Sequence, residues 1–206
     1  MLYPDIWLEL TKSKNCPITL LYYQRIFLRS CMRYRYTYYT ATRGSSKSFI
    51  AILSQILACI FLPGSKRFLV SDIKKASLDI TKQKVAEILD WYPLLANEIA
   101  VRRESTDYFM IIFKNGSSFQ VLTMSAATRG QRMHGGVLEE CAMIDGDVLS
   151  SVILPTMNLK RRTKRGLIVD GEPQQVQVYI TSAGSKNTYA YERLIELLIM
   201  ECVDPT

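Results

Sequence analysis

The segment TATRGSSKS, residues 40 to 48, runs into the apolar stretch FIAILSQILACIFL and holds the residue types of a phosphate-binding loop. Such a loop curls backbone N–H groups around a β-phosphate, reaches the β- and γ-phosphates with a lysine, and holds Mg²⁺ with a Ser or Thr hydroxyl. Lys47 and Ser48 supply the last two parts, and Gly44, Ser45 and Ser46 are small enough for a tight anion nest. The helix that follows contributes its positive N-terminal end. Against the pattern G-x-x-x-x-G-K-[ST], Ala41 stands at the first glycine and Ser46 at the second. Each restricts backbone angles that glycine accepts freely. The competing reading of the same residues is a helix start with a serine cap.

An ATPase also needs one carboxylate in the metal shell and an adjacent one to polarise the attacking water. Glu139 and Glu140, in GGVLEECAMID, follow the short apolar segment Val137-Leu138 and would lie at the end of a core strand facing the loop. A Glu-Glu pair taken alone is more often a solvated strand end; beside a phosphate loop it gains specificity. Gly135 and Gly136 predict a weak strand here, since buried strands prefer branched residues. RYRYTYYT, read as the strand before the loop, carries Arg33 and Arg35, which are out of place in a buried strand.

The elements that must hold these groups are legible from periodicity and punctuation. A helix is predicted after Pro17, another over Lys47 to Leu62 that stops at Pro63-Gly64, and a third after Asp72 up to Pro93. RFLVS and QQVQVYIT read as strands, Asn115-Gly116 as the turn of a hairpin, Gly146 to Met157 as containing a helix, and Tyr189 to Cys202 as a closing helix. This order predicts an α/β fold with a mostly parallel central sheet flanked by helices and an antiparallel hairpin insertion. The expectation is one domain over residues 1–206, with a helical lead-in at 1–32 and a phosphate-loop core at 33–206.

The chain has 206 residues, 48% hydrophobic, and a net charge of +7, which favours anionic partners such as nucleotides or nucleic acid. Five scattered cysteines and one histidine argue against a disulfide framework or a zinc site, and fit a reducing cytoplasm. The longest apolar run is too short to cross a bilayer, so no membrane partner is expected.

With these motifs in place the chain resembles the ATPase domain of the phage large terminase subunit, the motor that packages DNA into procapsids. The resemblance runs from about Pro17 to Met200. PITLLYYQRIFL is similar to the family's adenine motif, with Gln24, and ATRGSSKS to its variant Walker A, with Arg43. FKNGSSFQVLTMSAATRGQRMHGGVLEE is similar to its hairpin, Arg-Gly segment and Walker B, and VYITSAGSKNTYAYERL to its coupling motif. The resemblance implies a P-loop NTPase of the RecA-like (ASCE) type that binds ATP and Mg²⁺. Gln24, Arg43, Gly44, Ser45, Ser46, Lys47 and Ser48 would bind nucleotide, Ser48 and Glu139 the metal. Lys47 and Glu140 would be catalytic, Arg129 a trans-acting arginine finger with Arg132 as fallback, and Thr181 and Ser182 would couple phosphate loss to the domain. Implied partners are double-stranded DNA, the portal protein, the small terminase subunit and other copies in a ring, with a monomer expected in isolation. The implied location is the host cytoplasm at the procapsid portal. The family's nuclease domain is absent from these residues, so no cutting activity is expected.

The basic run LKRRTKRG, with Lys160, Arg161, Arg162, Lys164 and Arg165, is open to two readings, DNA-phosphate contact or solvated loop. His134 reads as structural. Two rival functions remain: a helicase-like P-loop ATPase, and a non-hydrolysing nucleotide-binding module with a degenerate loop.

Overall fold

The computed structural model describes residues 3–72, 74–122, 126–163, 165–182 and 186–203. Its centre is a seven-stranded sheet in the order β1-β7-β6-β2-β5-β4-β3. The strands are β1 (Tyr36–Thr40), β2 (Lys66–Val70), β3 (Ile99–Ser105), β4 (Tyr108–Phe113), β5 (Ser118–Val121), β6 (Gly135–Glu139) and β7 (Val176–Thr181). β1, β7, β6, β2 and β5 run parallel, and β5, β4 and β3 form the antiparallel meander. The Asn115-Gly116 turn joins β4 to β5 as its sequence predicts, with Gly116 at φ 84°.

Side chains alternate across the parallel strands and both faces are buried, as a parallel sheet requires. Leu69, Val137, Val178 and Ile180 face one core with α2 (Tyr22–Arg33), α3 (Lys47–Phe61) and α4 (Lys74–Trp91). Phe68, Val70, Leu138 and Tyr179 face the other with the segment 144–157 and Ala190 of α7 (Tyr189–Val203). α3 is buried almost throughout, which explains its apolar residues on every side. It ends ahead of Pro63-Gly64, Gly64 taking φ 76°. α1 (Pro4–Thr11) docks on α2 through buried Asp5, whose carboxylate accepts from Arg29 Nε at 2.8 Å and Nη2 at 2.7 Å.

Several sequence expectations are corrected. The first strand starts at Tyr36, so Arg33 ends α2 and Arg35 precedes β1, and neither lies in a buried strand. β1 is also the sheet edge, where such flanking charges are tolerated. β6 is not weak: all five residues are buried. Its glycines are required, since a Cβ on Gly136 would lie 2.6 Å from the Phe68 ring and carbonyl oxygen. The helix at 146–157 is irregular: α6 (Gly146–Val148), capped by Asp145 Oδ1, passes into a π turn at Leu149–Ile153 and a 3₁₀ turn at Leu154–Met157. α5 (Pro93–Asn97) and β3 were not anticipated; the charged, exposed IAVRRES of β3 carries no strand alternation. Among the described residues no helix is long and apolar enough to cross a membrane.

Candidate active site

Three neighbouring strands end together: Thr40 of β1 pairs with Thr181 of β7, and Ile180 of β7 with Glu139 of β6. The loop 41–46 leaves β1 at this edge, Ala41 N–H donating to the Thr181 carbonyl at 3.2 Å. It then turns through left-handed Gly44 (φ 82°) and left-handed Ser46 (φ 59°) into α3. Ser46 occupies the second glycine position of the Walker pattern and adopts a backbone region that a Cβ makes costly. The serine-cap reading fails, because no side-chain cap bond forms at Ser46. The first N–H groups of α3 therefore open into the loop without a side-chain acceptor. The buried Ser45 Oγ has no hydrogen-bond partner among the described residues, a polar atom left available inside the loop.

Lys47, the first residue of α3, is buried; its ammonium donates to Ser182 Oγ at 3.1 Å and lies 3.1 Å from Glu140 Oε1. Glu140 accepts in turn from Ser182 N–H at 3.1 Å and Ser182 Oγ at 3.3 Å. Lys47, Glu140 and Ser182 thus close a triangle across three separate elements. Glu140 sits just past β6 in a left-handed turn with φ 47°. Glu139, the last residue of β6, is buried, and the neighbouring Ser48 hydroxyl favours its charged form.

The two carboxylates are tuned apart. Burial first of all raises the Glu139 pKa, and the Glu140 charge adds to this, against the opposing pull of Ser48 and Lys47. Burial works to raise Glu140 as well, but the Ser182 N–H, Lys47 and the Ser182 hydroxyl together hold it below the usual carboxylate value. An acid pushed up beside a base pushed down is the pattern that separates two roles. The Ser48 hydroxyl and Glu139 carboxylate form a hard-oxygen donor pair of the kind Mg²⁺ takes while keeping its remaining positions for water and phosphate.

Gln24, at the start of α2, is buried beside the loop: its Nε2 donates to the Ser45 carbonyl at 3.5 Å while its Oε1 accepts from Leu21 N–H at 2.9 Å. Arg43 is exposed at the loop tip. Thr181 is buried and donates from Oγ1 to the Ser182 carbonyl at 2.9 Å. Arg129 is exposed on the 3₁₀ turn Ala126–Gly130, and Arg132 is exposed just before β6. Sequence reasoning missed that Ser182 holds Glu140 by both its N–H and its hydroxyl, since the two residues meet only through strand order.

The chain has the fold of a phage large terminase ATPase domain. It superposes on the large terminase of bacteriophage HK97 with a TM-score of 0.67 and 12% identity, covering 98% of this chain and 42% of that one. Against the large terminase ATPase domain of Thermus phage P74-26 the TM-score is 0.58 at 17% identity, covering 99% and 94%. The UvsW helicase of bacteriophage T4 shares the fold, with a TM-score of 0.57 and 14% identity over 93% of this chain and 63% of that one. This chain therefore spans less than half of the HK97 terminase. No protein-family model and no curated protein sequence matches it.

Proposed function

We propose that this chain is the ATPase motor domain of a large terminase subunit, coupling ATP hydrolysis to movement of double-stranded DNA into a procapsid. The observation that carries the reading is the Lys47–Glu140–Ser182 triangle set beside the Ser48–Glu139 pair at one edge of the sheet. The loop N–H groups and the end of α3 take the β-phosphate, and Lys47 exchanges its Glu140 contact for the β- and γ-phosphates. Ser48 and Glu139 would hold Mg²⁺, which would supply neutralising charge to the phosphate oxygens. Glu140, kept ionised, accepts a proton from the attacking water as that water adds to the γ-phosphorus and the bond to ADP breaks. Ser182 senses the exchange because it touches both Lys47 and Glu140, and with Thr181 passes it into β7. Gln24 supports the loop and offers its amide edge to adenine, and Arg43 offers a contact to the γ-phosphate.

Arg129, exposed and outside the triangle, fits a residue donated to a neighbouring copy, and a head-to-tail contact of this kind closes into a ring when the rotation permits. In the packaging reading the ring works in the host cytoplasm with the portal protein and the small terminase subunit. The UvsW likeness favours one alternative, a helicase, which duplex strand separation would reveal. The test is Mg-dependent phosphate release from ATP across a range of protein concentrations, with Glu140→Gln as the control. Turnover that rises per molecule with concentration and vanishes in the variant supports the assignment. ATP binding with no turnover at any concentration leaves a nucleotide-binding module instead.

A further inference from the structure

The basic run LKRRTKRG does not behave as one unit. Arg161 points inward: it is buried, ion-paired with Glu172 through both Nε and Nη2, and donates from Nη1 to the Pro63 carbonyl at 3.0 Å, while its own N–H donates to Gln174 Oε1 at 2.8 Å. It staples the segment 158–175 onto the N-terminal edge of the sheet, the edge opposite the phosphate loop. Its neighbours Lys160 and Arg162 are exposed, as is Arg165 beside a turn closed by Thr163 N–H to the Leu167 carbonyl and Gly166 N–H to the Thr163 carbonyl, both 2.8 Å. Lys164 lies outside the described residues.

The strand order brings further cations to the same edge. Arg35 precedes β1, Lys66 opens β2, Arg132 precedes β6 and Lys114 follows β4, all exposed. Among the described residues the exposed acids near this edge include Glu98, Asp170 and, on α7 in the cleft it shares with Arg35, Glu201. From β1 to β4 the row crosses five strand spacings of about 4.8 Å, or roughly 24 Å. That matches about 7 base pairs of duplex at about 3.4 Å each.

We propose that this N-terminal sheet edge, with Lys160, Arg162 and Arg165 presented by the Arg161–Glu172 staple, is the surface that takes the phosphate backbone of duplex DNA. The proposal rests on the motor reading above. Cations in a row give sequence-independent phosphate contact. It also places DNA and ATP at opposite ends of the same parallel strands, so β7 connects the two. Leu167, Ile168 and Val169 are exposed on the same segment, which makes a protein surface the competing partner.

The experiment measures binding of a fluorescent duplex of about 20 base pairs between ~50 and ~200 mM salt, by anisotropy, in the Glu140→Gln background so that turnover plays no part. Each lost phosphate contact lowers the slope of log K against log salt by about 0.9, so K160A/R162A/R165A is expected to lower it by about 2.7 and weaken binding roughly ten-fold or more. K75A/K82A, which removes exposed Lys75 and half-buried Lys82 from α4, is expected to change affinity less than about two-fold. Glu172→Gln adds net positive charge yet is expected to weaken binding, because the staple is lost. An unchanged slope in the triple variant, or an equal loss of affinity in K75A/K82A, overturns the assigned face, and tighter binding by Glu172→Gln overturns the staple's role. Failure of the chain with Glu140 intact to turn over ATP, with DNA binding retained, breaks only the ATPase reading.

Discussion

At the C-terminal ends of the parallel strands, Ser46 and Glu140 hold left-handed backbones, and Lys47 leans on a carboxylate that is 42% exposed. At the N-terminal ends, Arg161 and Glu172 face each other at 7% and 6% exposure, with Arg67 buried behind them and donating from Nε to Ser65 Oγ at 2.8 Å. His134 completes this second cluster, its Nδ1 accepting from Lys66 N–H at 2.9 Å. One end keeps a charge reachable by solvent and its backbone strained, which suits groups that must change partners. The other end is closed: Glu172 takes both Nε and Nη2 of Arg161, and Gln174 accepts from the Arg161 N–H. The lesson is that buried charge in this molecule marks structure where it is fully paired and chemistry where the pairing is partial and shared.

Substitutions should separate the two ends, starting with the largest effect. Glu140→Gln is expected to lower ATP turnover by ~10²–10⁴-fold, read by phosphate release, while costing less than about 1 kcal/mol in denaturant unfolding, because the pair is half open to water. Glu172→Gln should do the reverse at the closed end, destabilising by about 3–5 kcal/mol since it leaves the Arg161 charge buried without its partner. A double change of Arg161 and Glu172 to apolar residues of similar volume should restore most of that loss in the same unfolding measurement.

Acid titration sharpens the contrast. Burial, with the charges of Arg67, Lys66 and Arg161 acting against the opposing pull of Glu172, lowers His134 to about 4. The unfolded chain binds this proton near the ordinary value of ~6.5 and the folded chain does not, so the contribution is full above that pH and is lost as pH falls towards 4. The expected slope is up to ~1.4 kcal/mol per pH unit over that window, and His134→Asn, which keeps an acceptor for Lys66, should remove it. Glu139 at the other end has its pKa raised, so its titration should appear in Mg-dependent activity, which rises with pH as the carboxylate ionises. The smallest effect belongs to Ser46→Gly, expected to stabilise by about 1 kcal/mol through relief of the left-handed backbone, measured by thermal unfolding.

Most helices and strands were legible from the sequence because their causes are local. Pro63-Gly64 ends α3, Asn115-Gly116 turns the hairpin, and apolar spacing marks α4. β3 was not legible, since an exposed edge strand needs no alternation, and the 146–157 helix loses its regularity at Pro155, which has no N–H for the helical ladder. Within the site, Lys47 with Ser48 and Glu139 with Glu140 were readable as pairs, while Arg161 read as one more surface cation.

By itself, then, the sequence determined the order of elements and the chemical inventory, through contacts between residues a few positions apart. Only the tertiary structure decided which residues share a site. Parallel pairing of β1, β7 and β6 brings Thr40, Thr181 and Glu139 to one edge, and strand register places Ser182 between Lys47 and Glu140. The close approach of Phe68 turns Gly136 from a flaw into a requirement, and the burial of Arg161 divides a basic run into a staple and a surface. These outcomes depend on partners far along the chain, chosen by the packing of two cores on one sheet, and no local pattern encodes that choice.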